Sequence, residues 1–280
     1  MCDSELIVHA YLRWDSNCAE HLTGDFSFVL FNTKQQRCFC ARDHMGMKPF
    51  YYYLNDNYFI FSTHLNVFKV LDICHTPIQD EWILKYCLKI SMDYTTTPYK
   101  NINKLPPAHS LEIKTNSHHQ SRYFQFDPEP YHQYKTQDEY VQAYKAHLFE
   151  AVNCRVISDY AIGSEMSGGL DSSSVTAIAK LSLNATNKRI HTFGHNKQAL
   201  DKKCINSVID FLDLKHHTMT NNLDHFANQG LKNVAQILGL PDEHGMASFH
   251  IPFYRFLRES NTRTLLSGFG GDECVTNPSA

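Results

Sequence analysis

Seven residues, Ser167-Gly168-Gly169-Leu170-Asp171-Ser172-Ser173, lie between a short apolar run at 161–166 and a helical pattern that sets Val175, Ile178 and Leu181 on one side. A strand that runs through two glycines straight into a helix is a unit of α/β folds. The glycines let the backbone close tightly around a ligand. The hydroxyls of Ser167, Ser172 and Ser173, with the free N–H groups of a helix start, suit a pyrophosphate. Asp171 fits an anion site only if a cation lies between, so the loop reads as holding Mg²⁺-pyrophosphate. The competing reading is a Gly-Ser turn before an ordinary helix.

A second loop weighs against that alternative. Ser267-Gly268-Phe269-Gly270-Gly271-Asp272-Glu273 follows the strand-like run Arg263-Thr264-Leu265-Leu266. Ligands of open α/β sheets collect where the carboxyl ends of strands meet, so two Gly-rich acidic loops that each end a strand are expected to face one site. Asp171 and Asp272 are then the pair that shares a magnesium ion on the phosphates.

Around these loops the pattern alternates. Strands are expected at 161–166, 189–193, 217–219 and 264–266, and helices at 137–156, 172–183, 197–211, 223–238 and 247–259. This predicts a parallel sheet with right-handed crossovers. The first part of the chain reads differently: a helix at 4–14, strands at 26–31, 38–41, 50–53 and 58–61, helical segments near 64–71 and 80–89, a last strand at 110–114, and a polar stretch at 116–121. Residues 123–135, with Pro128 and Pro130, read as a linker.

Together the two acidic loops resemble the ATP-pyrophosphatase family, and within it the asparagine synthetase superfamily, which carries SGGLDSS and a later SG-x-G-x-DE. Three segments of the first half are similar to successive signatures of that superfamily's glutamine amidotransferase domain: Leu22-Thr23-Gly24-Asp25-Phe26-Ser27-Phe28, the run from Ala41 through Arg42-Asp43 and Lys48-Pro49 to Tyr52, and Asn103-Lys104-Leu105-Pro106-Pro107-Ala108-His109. The resemblance spans about Asp3 to Glu273. It implies a fold that is α+β and then α/β: a partial N-terminal-nucleophile amidotransferase domain over 1–132, followed over 133–280 by a PP-loop ATP-pyrophosphatase parallel sheet with flanking helices, both incomplete.

What the resemblance implies for function is an ATP-dependent amide ligase that activates a carboxylate as an acyl-adenylate and releases pyrophosphate, as in glutamine-hydrolysing asparagine synthase and asparagine biosynthesis. Its cofactors are ATP and Mg²⁺. Its partners are a small-molecule or peptide carboxylate, with glutamine, ammonia or an internal amine as nitrogen donor. The nucleotide residues carried over are Glu165, Met166, Ser167, Gly168, Gly169, Asp171, Ser172, Ser173, Ser267 and Gly268, with the main chain of Glu165-Met166 facing the base. Thr192 and Phe193, on the neighbouring strand, are further candidates. Asp171 and Asp272 hold the metal, and Asp3 matches the aspartate that binds the glutamine α-amino group, although Asp3 also suits a local role as a helix N-cap. Phe269 stands where asparagine synthetases usually carry an acid, an aromatic as in the branch that closes lactam or macrolactam rings, which keeps an amide-forming cyclase open as the alternative.

Two departures shape further expectations. Met1-Cys2 imitates the family's nucleophilic start, but Cys2-Asp3-Ser4-Glu5 matches an internal segment in which Cys2 falls on a serine, so no glutaminase nucleophile is assigned and Cys2 is not it. The signature at 22–28 comes early and only seven residues follow Glu273. The chain is therefore expected to be a fragment that as given makes no amide, or an inactive nucleotide-binding remnant.

Composition limits the rest. With 26 basic and 29 acidic residues and a formal net charge of −3, the chain offers no electrostatic footprint for nucleic acid or an anionic membrane. No apolar run approaches a membrane span and the start is no signal peptide, so a cytoplasmic location is expected. Oligomeric state is left open. Nine cysteines without a C-x-x-C pair are expected as reduced thiols. His118-His119 are expected in a loop, and His216-His217 at the start of a strand.

Overall fold

In the computed structural model the described residues are 2–71, 74, 76–90, 94–115, 117–184, 189–195, 199–219, 231–241, 254 and 256–272. They divide into two compact units, one of 1–128 with 232–243, the other of 129–231 with 244–280. The split leaves helix α7 (Leu231–Leu238), from its second residue on, and the turn after it with the first unit, although its sequence lies among the elements of the second. Asn66 Nδ2 donates to the carbonyl of Gln236 at 2.7 Å, and Tyr99 Oη to that of Gly239 at 3.1 Å.

In the first unit helix α1 (Asp3–Trp14) runs into a 3-10 turn, Asp15–His21. Two antiparallel sheets follow. One has the order β1 (Ser27–Asn32), β2 (Arg37–Arg42), β6 (His109–Lys114), β7 (Ser117–Arg122); the other has β4 (Phe59–Ser62), β3 (Tyr51–Leu54), β5 (Ile102–Lys104). Strand β2 is central, and its alternation sorts the layers. Phe39 and Ala41 pack with Ala10 and Tyr11 of α1, whereas Cys40 packs with Phe50, Leu105 and Leu111. The far face of the second sheet is covered by Leu65 and Phe68, at the short helix α2 (Asn66–Lys69), and by Leu240. Helix α3 (Asp80–Cys87) buries Trp82.

The expected helices at 64–71 and 80–89 are thus shorter, Asn66–Lys69 and Asp80–Cys87. The polar stretch at 116–121 is mostly strand, not loop. Every residue of Ser117–Arg122 is exposed, yet its backbone pairs with β6 throughout, so His118 and His119 lie on an edge strand. An edge with neither face buried has no hydrophobic alternation to betray it.

The run 41–52 acts as a clamp. Arg42 donates to three carbonyls, Lys48 at 2.8 Å, Leu105 at 2.7 Å and Gly46 at 2.7 Å. Asp43, 1% exposed, accepts from the N–H groups of Met45 (3.2 Å), Met47 (2.8 Å) and Lys48 (2.9 Å). A buried carboxylate held by three backbone donors fixes this loop.

The second unit is a parallel sheet in the order β10 (Lys215–Met219), β9 (Ile190–His195), β8 (Ala161–Glu165), β11 (Thr262–Leu266). Helix α4 (Gln137–Asn153) opens on a capping box: Glu139 N donates to Thr136 Oγ1 at 3.3 Å and Thr136 N to Glu139 Oε2 at 2.9 Å. Val152 of α4, Ile178, Ala179 and Leu183 of α5 (Leu170–Asn184), and Ile205 of α6 (Ala199–Leu212) bury one face of the sheet against Ile162, Ile190 and Leu266. Phe193 and Leu265 face the other way, towards Phe256 and Leu257. Residues 223–230 of the expected helix at 223–238, residues 247–253 and 255 of the expected helix at 247–259, and Glu273 lie outside the described residues.

Candidate functional site

Strand β8 is where the sheet changes direction. The chain leaves β8 through α5 to β9 on one side, while β11 pairs with β8 on the other, Leu266 opposite Ser164. The crevice at the carboxyl end of such a strand is the usual ligand position in open α/β sheets. Both Gly-rich loops end there, one after β8 and one after β11.

The first loop is stitched by its own hydroxyls. Ser167 N donates to Ser172 Oγ at 3.2 Å, the two serine hydroxyl oxygens lie 3.0 Å apart, and Ser173 Oγ donates to Gly169 O at 2.7 Å. Ser172 is only 5% exposed, so its hydroxyl shapes the loop, whereas Ser167 and Gly169 are exposed. Gly168 has φ +84°, a left-handed conformation that turns the backbone over the helix start. Ser173 N closes on Gly169 O at 3.2 Å, and the donors ahead of it in the first turn of α5 remain for a ligand or water.

The second loop rests directly on that helix start. A Cβ on Gly268 would lie 2.5 Å from Ser172 N and 2.9 Å from the Asp171 carbonyl carbon. A Cβ on Gly271 would lie 2.6 and 2.7 Å from the two Asp171 carboxylate oxygens, closer than such atoms can stand. The structure thus places the Gly268 and Gly271 backbones against Ser172 and Asp171, with Asp272 next in the chain and exposed. Among the described residues no group of three or more His, Cys, Asp or Glu side chains could hold a metal. Two carboxylates on adjacent loops, with phosphate oxygens and water to complete the shell, is a donor set that suits Mg²⁺. The residues present fit a magnesium-bound pyrophosphate group.

At the end of β8, Met166 is 1% exposed and its N–H donates to Phe193 O at 2.7 Å. Glu165 is half-buried at the end of β8. One residue of the contact between the loops escaped sequence reasoning: Gly271, inside a motif from which Ser267, Gly268 and Asp272 were chosen. Thr192 Oγ1 is buried and lies 3.0 Å from His216 Nδ1. Burial first, and then the neighbouring His217, pushes the His216 imidazole below its ordinary pKa, so the ring is neutral near pH 7.

Asp3 is the first residue of α1. Its expected N-cap place is taken by Cys2, whose backbone N–H donates to Glu5 Oε2 at 2.9 Å. Of the other cysteines, Cys18 is buried and pushed up to about 11 by desolvation and Asp15, and Cys40 is raised further by burial. The eight described cysteines are free thiols. No described helix is long and apolar enough to cross a membrane.

Comparison with known proteins places this geometry. Residues 1–124 match the glutamine amidotransferase domain model and residues 143–276 the asparagine synthase model. A putative glutamine-hydrolysing asparagine synthetase of Methanocaldococcus jannaschii is 29% identical over 223 residues, 77% of this chain and 42% of that protein. Asparagine synthetase 3 of Bacillus subtilis is 29% identical over 206 residues, 71% of this chain and 33% of that protein. The amidase chry2 of Gibberella zeae is 23% identical over 294 residues, 97% of this chain and 42% of that protein. The glutamine-dependent NAD⁺ synthetase structure from Acinetobacter baumannii aligns with a TM-score of 0.36 at 10% identity, over 97% of this chain and 66% of that one.

An antiparallel domain that matches the glutamine amidotransferase model is followed by a parallel sheet, with a Gly-rich loop, that matches the asparagine synthase model, and this pairing defines the class. The chain belongs to the asparagine synthetase superfamily. It spans less than half the length of these three curated relatives.

Proposed function

We propose that the protein acts as an ATP-dependent amide ligase of the glutamine-hydrolysing asparagine synthase type. In this reading 133–280 is the PP-loop ATP-pyrophosphatase domain, and 1–132 is an amidotransferase domain of the N-terminal-nucleophile fold. The observation that carries it is the packing of Gly268 and Gly271 against Ser172 and Asp171, which brings two acidic loops to one helix start.

The chain's own residues then divide the work. The α5 N-terminus, the Gly168 and Gly169 backbone and the Ser167 and Ser173 hydroxyls hold the pyrophosphate end of ATP. Ser267 and Gly268 form the opposite wall. Asp171 and Asp272 hold Mg²⁺, which when bound offsets charge on the departing pyrophosphate. Met166, with Glu165 before it, offers main-chain groups to the base. A carboxylate oxygen attacks the α-phosphorus, the bond to the bridging oxygen breaks, and pyrophosphate leaves with that electron pair. Ammonia, supplied as such or released from glutamine, would then attack the acyl carbon; the bond from that carbon to the phosphate oxygen breaks, AMP leaves with that electron pair, and the nitrogen gives up a proton to water.

In the first unit, Asp3 is exposed on the first turn of α1 and would accept from the glutamine α-ammonium group. Cys2 caps that helix, and we assign it no nucleophilic role. A second reading, an amide-forming cyclase that uses an internal amine, draws on Phe269, which stands 74% exposed on the second loop and favours an apolar acceptor over aspartate.

Carboxylate-dependent exchange of labelled pyrophosphate into ATP tests the proposal. Exchange that needs Mg²⁺ and is lost in Asp171→Asn is expected, and aspartate against apolar amino acids or peptides separates the two readings. Absence of both exchange and ATP binding contradicts the assignment.

A further inference from the structure

We infer that Ser164 and Thr176 are positioning residues for the pyrophosphate site: a buried hydroxyl strut between β8 and α5 sets the height at which the start of α5 meets the second loop. The inference rests on the nucleotide reading above and adds to it two side chains that do not themselves touch the ligand.

Ser164 on β8 and Thr176 on α5 are both 0% exposed. Thr176 Oγ1 donates to Ser172 O at 2.7 Å. A hydroxyl has one proton to give and a carbonyl has none, so Thr176 Oγ1 can only accept across its 2.8 Å contact with Ser164 Oγ. Ser164 is therefore the donor. The chain of bonds runs one way, from the central strand through Thr176 to the main chain of residue 172.

Stability gives little reason for hydroxyls in this place. The core on this face of the sheet is aliphatic, with Ile162, Ile178, Ala179 and Leu266. Alanine at 164 and valine at 176 would nearly keep the shape, and replacing both partners of a buried bond by apolar groups is close to neutral or stabilising. A threonine that bonds back to the carbonyl four residues earlier also weakens and bends its helix slightly. What the strut supplies is position. Ser172 O is tied to β8 through Thr176, while on the amide side of the same residue the second loop closes in. A Cβ on Gly268 would lie 2.5 Å from Ser172 N, and one on Gly271 2.6 and 2.7 Å from the Asp171 carboxylate oxygens. Supporting hydrogen bonds must hold a binding group to within about 0.5 Å, and a shift of α5 on that scale moves Asp171 against the second loop.

Calorimetric titration with Mg²⁺-ATP and Mg²⁺-pyrophosphate, with thermal unfolding alongside, tests this on wild type, on Thr176→Ser and on the double variant Ser164→Ala/Thr176→Val. The double variant is expected to keep the wild-type melting temperature within about 3 °C. It should nevertheless bind both ligands about tenfold more weakly, the scale of one hydrogen bond. Thr176→Ser keeps the hydroxyl and removes a methyl group from the core, so it should melt lower yet bind within about twofold of wild type. A strut that serves folding alone would make affinity follow melting temperature in both. If the double variant fails to fold, Ser164→Ala alone serves: it removes the donor, leaves the Thr176 bond within the helix, and should bind more weakly than Thr176→Ser. Wild-type affinity in the strut-less variant, or an equal loss in Thr176→Ser, overturns the inference and leaves the nucleotide site standing. A wild type that binds neither ATP nor pyrophosphate overturns both.

Discussion

Gly268→Ala and Gly169→Ala make the same chemical change in the two loops, and the structure separates them. The added methyl of Gly268→Ala would stand 2.5 Å from Ser172 N and 2.9 Å from both the Asp171 carbonyl carbon and Ser172 Cα. Non-bonded carbon contacts settle near 3.5–4.0 Å, so the overlap is about 1 Å. All three neighbours are main-chain atoms of the first turn of α5, which cannot rotate aside. The second loop must lift off the helix instead, at an overpacking cost of about 1–3 kcal/mol. That displacement carries Asp272 away from Asp171, so binding of Mg²⁺-pyrophosphate should weaken by a similar amount, roughly ten- to a hundredfold. Gly169→Ala meets only Ser167 Oγ at 3.5 Å, an ordinary contact, and φ at Gly169 is not positive. It should leave stability within about 0.5 kcal/mol. Urea unfolding followed by circular dichroism gives the stabilities, and calorimetry gives the binding loss of Gly268→Ala. Equal effects of the two substitutions on stability would refute the packing argument.

Two other outcomes follow from buried groups. Asp43→Asn replaces a carboxylate that accepts three backbone N–H groups with an amide that can accept through one oxygen only, and should destabilise the first unit by on the order of 3 kcal/mol in urea titration. In the second unit burial lowers the pKa values of His191, His216 and His217, helped by Lys215 and Arg189 at His191, by His217 at His216, and by His191 and Lys215 at His217. The unfolded chain therefore takes up these protons first. Stability should be steady above the ordinary histidine value near 6.5 and decline as pH falls below it, and a thermal midpoint that rises between pH 7 and 5.5 would contradict this.

Legibility tracked the kind of force involved. Strands β8 and β11 and helices α4 and α5 were readable because apolar runs, glycines and helical periodicity act locally. Strand β7 was not, since only main-chain pairing to β6 holds an all-polar edge. The packing of α7 against Asn66 depends on a contact 170 positions distant, which no window of sequence contains. In the site, the acids were legible by type. The glycines that let the loops touch depend on which backbones meet.

The central claim is that Asp171 and Asp272 serve one magnesium ion on a pyrophosphate. Calorimetric binding of ATP across a Mg²⁺ series, on wild type, Asp171→Asn, Asp272→Asn and the double variant, tests it directly. Each single change should weaken Mg²⁺-dependent binding by about 1–3 kcal/mol, and the double variant should lose less than the sum, with a coupling of at least about 0.5 kcal/mol. Additive losses, or ATP binding indifferent to Mg²⁺, would contradict the shared site.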